Sequence, residues 1–407
     1  MNRAIKVAGI ITALVLSCLI AAPSLYADGL PKEIPIGALL AMSGPLSTFG
    51  KREAIAAQMA IEDVNAYVAK LGLNVKFKLY IEDTKVSPEE ALARLSSLAA
   101  QGVKVVIGPM ASSEVAAIKS FADSNRIVVI SQSSTAFQLA IPGDYIFRFV
   151  PTDLFQGKAL AKLAEALGLK KVAVIYRGDA WGDGLFAAFK ANFERIGGVV
   201  EGVRYDPASK DLSPEVRRLS SIVSRFGAGP DVGVLMISFE DDGISILTVA
   251  RDDPVLMKVK WFGTDGTAQS TKMVEEVGPI MAKLGGFPST LFQPAMSPKQ
   301  REFAKRFEKR AGEAPDAYSL NVYDAVWVVA LAIIESRSYD GETIAKILPD
   351  VASHYFGVSG WTILDANGDR AFGDYAIWSV VKKGKKYVWE IAGMYSYITD
   401  KVTFYGK

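Results

Sequence analysis

The residues best suited to hold a small ligand stand where apolar runs end. Ile107-Gly108-Pro109-Met110-Ala111-Ser112-Ser113 leads into a helical pattern from about Glu114, which makes Ser112 a natural helix N-cap. Free N–H groups at that helix start, with a hydroxyl beside them, suit a carboxylate. The next run ends Ile130-Ser131-Gln132-Ser133-Ser134-Thr135 and brings more small polar groups to the same edge. Capping alone accounts for each set, but their coincidence on adjacent strand ends favours a ligand. Asp265, in Gly263-Thr264-Asp265-Gly266, follows a strand directly and would project its carboxylate from the strand end. A turn aspartate bonding its own backbone is the alternative. An acid facing an anion site suits a zwitterion, and an α-amino acid meets that demand. The loop Met42 to Gly50 adds Phe49, an aromatic that either faces a ligand or packs back on the core.

Catalytic equipment is sparse. Cys18 is the one cysteine and His354 the one histidine among 407 residues, and Ser353-His354-Tyr355-Phe356 has no acidic or nucleophilic motif around it, which favours a structural histidine over a general base. Gly-x-Ser-x-Gly does not occur, and zinc and Walker phosphate motifs are missing too. Carboxylates such as Asp179, Glu240 or Asp265 could still do acid/base work, yet nothing marks a pair. No cofactor is expected, and neither ATP nor a metal is required by the protein itself. A binder is favoured over an enzyme.

Arg3 and Lys6, an apolar stretch from Val7 to Ala22 and then Pro23-Ser24-Leu25-Tyr26-Ala27 read as a secretory signal cleaved after Ala27. Lipidation at Cys18 is the alternative, with Leu16 bulky for a lipobox. Signal removal leaves 44 basic and 44 acidic residues, a neutral balance that gives no support to a polyanion-binding surface. The mature chain is then free of cysteine and cannot form a disulfide. A hydrophobic fraction of 50% and mean hydropathy of +0.20 exclude disorder and supply two buried cores.

Short β-rich runs at Ile34 to Leu40, Val75 to Glu82, Lys104 to Gly108, Arg126 to Ser131, Lys171 to Tyr176, Val232 to Ile237 and Met257 to Phe262 alternate with helical spacing. That order predicts an α/β fold with parallel sheets covered on both faces. The alternation runs twice, so two doubly wound lobes follow, joined by a three-segment hinge. Residues 28–149 with 289–357 are assigned to lobe 1, and 150–288 with 358–407 to lobe 2. The crossings fall near Phe149-Val150-Pro151, Gly286-Phe287-Pro288 and Val358-Ser359-Gly360. Ligands of open parallel sheets bind beyond the carboxyl ends of the strands, here in the cleft between the lobes.

These loops resemble those of the leucine/isoleucine/valine-binding proteins, the type I periplasmic solute-binding subunits of branched-chain amino-acid ABC transporters. Met42-Ser43-Gly44-Pro45 with Phe49-Gly50, Ile107-Gly108 with Ser112-Ser113, Ile130 through Thr135, Trp181-Gly182-Asp183-Gly184 and Gly263-Thr264-Asp265-Gly266 carry the likeness in order along the mature chain. The resemblance implies that Ser112 and Thr135 bond a ligand carboxylate with backbone groups of Ala111 and Ser134 beside them. It implies further that Asp265 takes the ammonium, while Phe49, Trp181 and Phe239 line or close the side-chain pocket. The expected function is capture of a branched-chain or other hydrophobic amino acid for an ABC permease and ATPase complex, with membrane contact only through the permease or a lipid anchor. Two departures bear on the ligand: Lys85 and Ala111 stand where the family has a disulfide, and Asp265 where it has a glutamate. Small aromatic or aliphatic carboxylates or amides, and a sensory rather than transport role, remain alternatives.

Overall fold

The computed structural model describes residues 29–406, so the proposed signal and Cys18 lie outside the described residues. The first lobe is built on β1 (Glu33–Leu40), β2 (Lys76–Asp83), β3 (Val105–Ile107), β4 (Val128–Ser131) and β5 (Ile146–Arg148). All pair in parallel, in the order β2-β1-β3-β4-β5. Both faces of such a sheet are covered, which is why β3 reads Val-Val-Ile and every residue of it is buried. Helices α1 (Ser47–Lys70), α2 (Pro88–Ala100) and α3 (Ser112–Asn125) supply the crossovers. The start of α2 is local chemistry: Ser87 accepts from the Glu90 N–H, Pro88 takes the first helical position, and Glu89 and Glu90 complement the helix dipole.

The second lobe begins with α4 (Asp153–Ala166) and continues through β6 (Lys171–Arg177), α5 (Ala180–Arg195), β7 (Val199–Tyr205) and α6 (Ser213–Phe226). Then come β8 (Val232–Ile237), α7 (Glu240–Ala250), β9 (Lys260–Phe262) and the short helices α8 (Thr271–Glu276) and α9 (Gly278–Lys283). Its parallel sheet runs β7-β6-β8-β9. A bridge from Gly263 to Ser289 joins it to an antiparallel sheet of β10 (Ser289–Phe292), β11 (Tyr375–Lys383), β12 (Lys386–Ser396) and β13 (Lys401–Phe404). Helices α10 (Pro298–Ala311), α11 (Ala317–Ser336) and α12 (Gly341–His354) return to the first lobe, where α11 packs along α1. With 20 residues and a mean hydropathy of 1.6, α11 is long and apolar enough to cross a bilayer, yet it is a core helix here, buried along most of its length.

Two crossings differ from those expected. Ser289–Phe292 pairs with β11 and so lies with the second lobe, not the first. Residues 359–371 lie against the first lobe, where Arg148 bridges to Asp369 in both backbone and side chain. The Gly/Pro cues at Gly286-Phe287-Pro288 and Val358-Ser359-Gly360 mark turns inside each lobe. Residues 360–364 are irregular, and the buried Arg370 guanidinium holds this stretch by donating to the carbonyls of Ser359, Trp361 and Phe149.

Candidate functional site

On the first lobe the site begins at the turn after β3. Gly108 has φ +88° and a Cβ there would meet Leu39 O at 2.0 Å, so only glycine permits this path. The helix cap is Ala111, not Ser112 as expected, and the buried Glu114 carboxylate accepts from the Ala111 N–H at 2.9 Å. Ser112, freed from capping, shares a 2.9 Å hydrogen bond with Ser134 Oγ and accepts from the Ala136 N–H at 3.2 Å. Ser131 and Ser133 donate to the carbonyls of Pro109 and Met110 at 2.6 and 2.9 Å. The serine cluster thus stitches the loops after β3 and β4 into one wall.

On the second lobe, Asp179 caps α5 by accepting from the Gly182 N–H at 2.9 Å, which sets Trp181 in the first turn. Its ring stacks on Phe239, with centroids 4.9 Å apart and planes 18° from parallel. The Arg177 guanidinium lies 4.3 Å from the other ring neighbour's centre, that of Phe239, while paired with Asp179 and Asp242. This cation and aromatic stack hold the wall rigid. Asp265 leaves the loop after β9, where its Oδ1 accepts from Gln156 Nε2 at 2.8 Å and its Oδ2 from Tyr318 Oη at 2.7 Å.

A cavity forms where these walls meet. From the first lobe Leu46, Met110, Ala111, Ser112, Ser133 and Tyr318 face it; from the second, Trp181, Phe239, Asp265 and Gly266. Of the residues singled out in the sequence, Ala111, Ser112, Trp181, Phe239 and Asp265 share this wall. Phe49, Ser134 and Thr135 stand behind it. Phe49 occupies the first turn of α1, not a loop, and is fully buried with its ring 6.1 Å from that of Tyr318. Ser133 and Gly266 lie within segments that the sequence singled out but had no role of their own there, while Tyr318 and Gln156 escaped the sequence reading, Tyr318 because it arrives from a segment 53 residues beyond Asp265 with no local pattern to mark it.

Backbone and side chains also meet across the cleft mouth. Glu240 of α7 accepts from the Thr48 N–H at 3.4 Å, and its own N–H donates to Pro45 O at 3.3 Å. Arg52 of α1 donates to Gln269 O at 3.0 Å and to Thr271 Oγ1, while also pairing with Glu313 and Asp316 of its own lobe.

Burial pushes the Asp265 carboxyl above its ordinary range, and the hydrogen bonds from Tyr318 and Gln156 oppose that shift. No lysine, arginine, histidine or cysteine lines the cavity. His354 lies exposed at the end of α12 with Nδ1 against Asp350 O. No group of metal-ligating side chains occurs among the described residues. The arrangement offers an acid, a serine-lined helix start and stacked rings, which is equipment for holding a small molecule and not for breaking a bond in it.

Residues 33–385 match the periplasmic binding protein family model. An uncharacterised protein of Methanocaldococcus jannaschii is 38% identical over 390 residues, covering 91% of each chain. The leucine-, isoleucine-, valine-, threonine- and alanine-binding protein of Pseudomonas aeruginosa is 24% identical over 83% of this chain and 87% of its own length. Among solved structures, the leucine-binding protein LivK of Thermotoga maritima superposes with a TM-score of 0.74 at 23% identity, over 88% of this chain and 97% of that one. A solute-binding protein of an ABC transporter from Rhodopseudomonas palustris, in complex with 3,4-dihydroxybenzoic acid, superposes at 0.72 with 19% identity, over 89% and 96%. Their shared two-lobed architecture is that of this chain, whose family consists of binding proteins and not enzymes. The match across nearly the whole described chain places it plainly: this protein belongs to the periplasmic binding protein family.

Proposed function

We propose that the protein is an exported solute-binding subunit that captures a hydrophobic α-amino acid in its inter-lobe cleft and delivers it to an ABC permease and ATPase complex. The observation that carries this reading is the buried Asp265 carboxylate, oriented by Gln156 and Tyr318, sharing one cavity with Ser112 at the start of α3. An ammonium on Asp265 and a carboxylate toward the helix start use both ends. The stacked Trp181 and Phe239 rings favour an apolar side chain packed against them. Relatives named for leucine, isoleucine and valine binding support the same ligand class. Export would use residues 1–27, with lipidation at Cys18 as the other route. Ligand contacts from both lobes favour the closed state by their differential affinity, and closure is the signal that a permease reads.

The aromatic stack also supports a second reading, an aromatic carboxylate ligand, in line with the dihydroxybenzoate complex of the Rhodopseudomonas palustris neighbour. A thermal-shift screen separates the two. Protein unfolded, stripped of carried-over ligand and refolded is tested against the twenty amino acids and small aromatic and aliphatic carboxylates. Midpoint shifts confined to amino acids, and lost in Asp265→Ala, support the first reading. Shifts with carboxylates that lack an amino group, unaffected by that substitution, overturn it in favour of the second.

A further inference from the structure

Beyond the Arg52 contacts at the cleft mouth lies a second cavity of about 680 Å³, which shares no lining residue with the cleft cavity. Ligand pockets span about 300–1,000 Å³, so this one has the size of a site. Its two walls belong to different lobes. Arg52 of α1 and residues 313–316, which lead into α11, come from the first. Gln269 and Thr271 at the start of α8, Trp378 of β11, and Tyr387 and Trp389 of β12 come from the second.

The second-lobe wall is aromatic. Tyr387 and Trp389 are two residues apart on β12, Val380 stands opposite Trp389, and Trp378 is two residues from Val380, so the three rings leave one face of the sheet. Trp389 is pinned there, its Nε1 donating to Ser270 O at 2.9 Å. The charges balance, with Arg52, Lys385 and Lys386 against Glu275, Glu313 and Asp316. Arg52 is committed already, to Glu313 and Asp316. Yet Arg52 and Asp316 are only 5% and 1% exposed, and Arg52 Nε, Asp316 Oδ2 and Gln269 Oε1 are buried without a hydrogen-bond partner. Buried polar atoms are normally bonded, so one donor and two acceptors at this inter-lobe floor call for a partner.

We propose that this cavity is a second ligand site, for a neutral polyhydroxylated molecule of the sugar class, and that its occupancy favours the closed arrangement of the lobes. An ionic ligand meets a wall whose charges cancel and whose arginine is taken. A hydroxyl both donates and accepts, so neighbouring hydroxyls serve Asp316 and Gln269 as donors and the Arg52 Nε–H as acceptor. The C–H face of a sugar ring is flat and apolar and packs against indole and phenol rings. A ligand that touches both walls does so only while the lobes are together, so it shifts the open and closed populations by its differential affinity. The inference does not depend on what the main cleft holds.

Calorimetric titration of the refolded chain with glucose, galactose, ribose and maltose, and with glycine betaine and benzoate as charged probes, tests this. Trp389→Leu removes the flat ring and keeps an apolar side chain against the second-lobe core. Gln269→Asn retracts one acceptor, and asparagine readily adopts the φ of +66° found there. At least one sugar should bind the wild type, with affinity lower by at least about tenfold in Trp389→Leu and about threefold in Gln269→Asn. Melting temperatures show that the variants fold; where Trp389→Leu does not, Gln269→Asn decides. Small-angle scattering should show the unliganded wild type becoming more compact at saturating sugar. A wild type that binds no sugar, or sugar affinity equal in both variants, overturns the inference. Betaine or benzoate binding that Trp389→Leu weakens, with no sugar bound, overturns the sugar assignment, and sugar binding without compaction overturns the coupling to closure. A main cleft that takes no amino acid changes none of these results.

Discussion

Tyr318 Oη donates to Asp265 Oδ2 at 2.7 Å, and the two residues come from opposite lobes. Tyr318 opens α11, which packs along α1, whereas Asp265 follows β9 of the other sheet. One hydrogen bond therefore both aims the acid and spans the cleft. On the proposed reading, in which a ligand ammonium meets an ionised Asp265, it belongs to the stronger class of such bonds.

Replacing Tyr318 with phenylalanine removes that donor while keeping the ring against Phe49. The lost bond had opposed the upward shift that burial imposes on Asp265, so the carboxyl of the variant titrates higher still. Binding of an ammonium needs the ionised form. Affinity should fall by about tenfold at neutral pH, and its decline on acidification should begin at a higher pH than in the wild type. Parallel titrations of both proteins between pH 5 and 8 check this, and superimposable pH profiles would remove Tyr318 from the site.

Gly266 sits beside Asp265 in the cavity wall, and a Cβ there would come within 2.4 Å of Ser238 O and 2.7 Å of the Trp181 ring. The carbonyl belongs to the backbone and cannot yield readily, so the ring and the loop must move. Gly266→Ala should weaken ligand binding by more than about tenfold through the displaced Trp181, at a cost of roughly 1–3 kcal/mol in stability from overpacking. Tryptophan fluorescence of the unliganded variant, compared with the wild type, reports the displacement independently of affinity.

Much of the lobes could be read from local pattern. Pro88–Ala100 is the helix that apolar residues at three- and four-residue intervals with charges between them predict, and β8 the strand that an unbroken apolar run predicts. Other elements are hidden for physical reasons. β5 has only three paired residues, β7 reads Val-Val-Glu-Gly-Val-Arg-Tyr with a glycine and charges breaking the alternation, and α12 contains Pro349. The site was half visible. Ser112, Trp181 and Asp265 follow strand ends, where the fold puts ligand groups, but Tyr318 and Gln156 act through contacts that only the folded lobes create.

Glu53 links the cleft wall to pH. Its buried carboxyl accepts from Gln132 Nε2 at 2.9 Å, and burial together with nearby Asp316 raises its pKa from 4.5 to about 8. The folded state then holds a proton that the unfolded chain releases above pH 4.5, so this contribution to stability is complete below that pH and is lost as pH rises through 8. Glu114, raised to about 7, acts in the same direction. The melting temperature should therefore fall between pH 5 and pH 9. Glu53→Gln, which mimics the protonated form, should match the wild type near pH 5 and exceed it by roughly 3 °C or more near pH 9.

Arg52 provides the test of closure. Its buried guanidinium on α1 pairs with Glu313 and Asp316 within the first lobe and reaches Gln269 O and Thr271 Oγ1 on the second. Opening the cleft breaks the second pair of contacts and leaves the first intact, so only the cross-lobe bonds enter the balance between open and closed forms. Arg52→Lys keeps a cation for Asp316 but lacks the planar fork that serves four partners at once. Losing one charge-assisted bond to the closed form, worth about 1.5–3 kcal/mol, should weaken ligand affinity roughly tenfold to a hundredfold. Thr271→Val, which removes an acceptor for Arg52 and a donor to Glu313 but no charge, should do the same to a lesser degree. Small-angle scattering checks the mechanism: without ligand both variants should be more expanded than the wild type, and at saturating ligand all three should converge. Equal dimensions without ligand would show that Arg52 braces the first lobe alone.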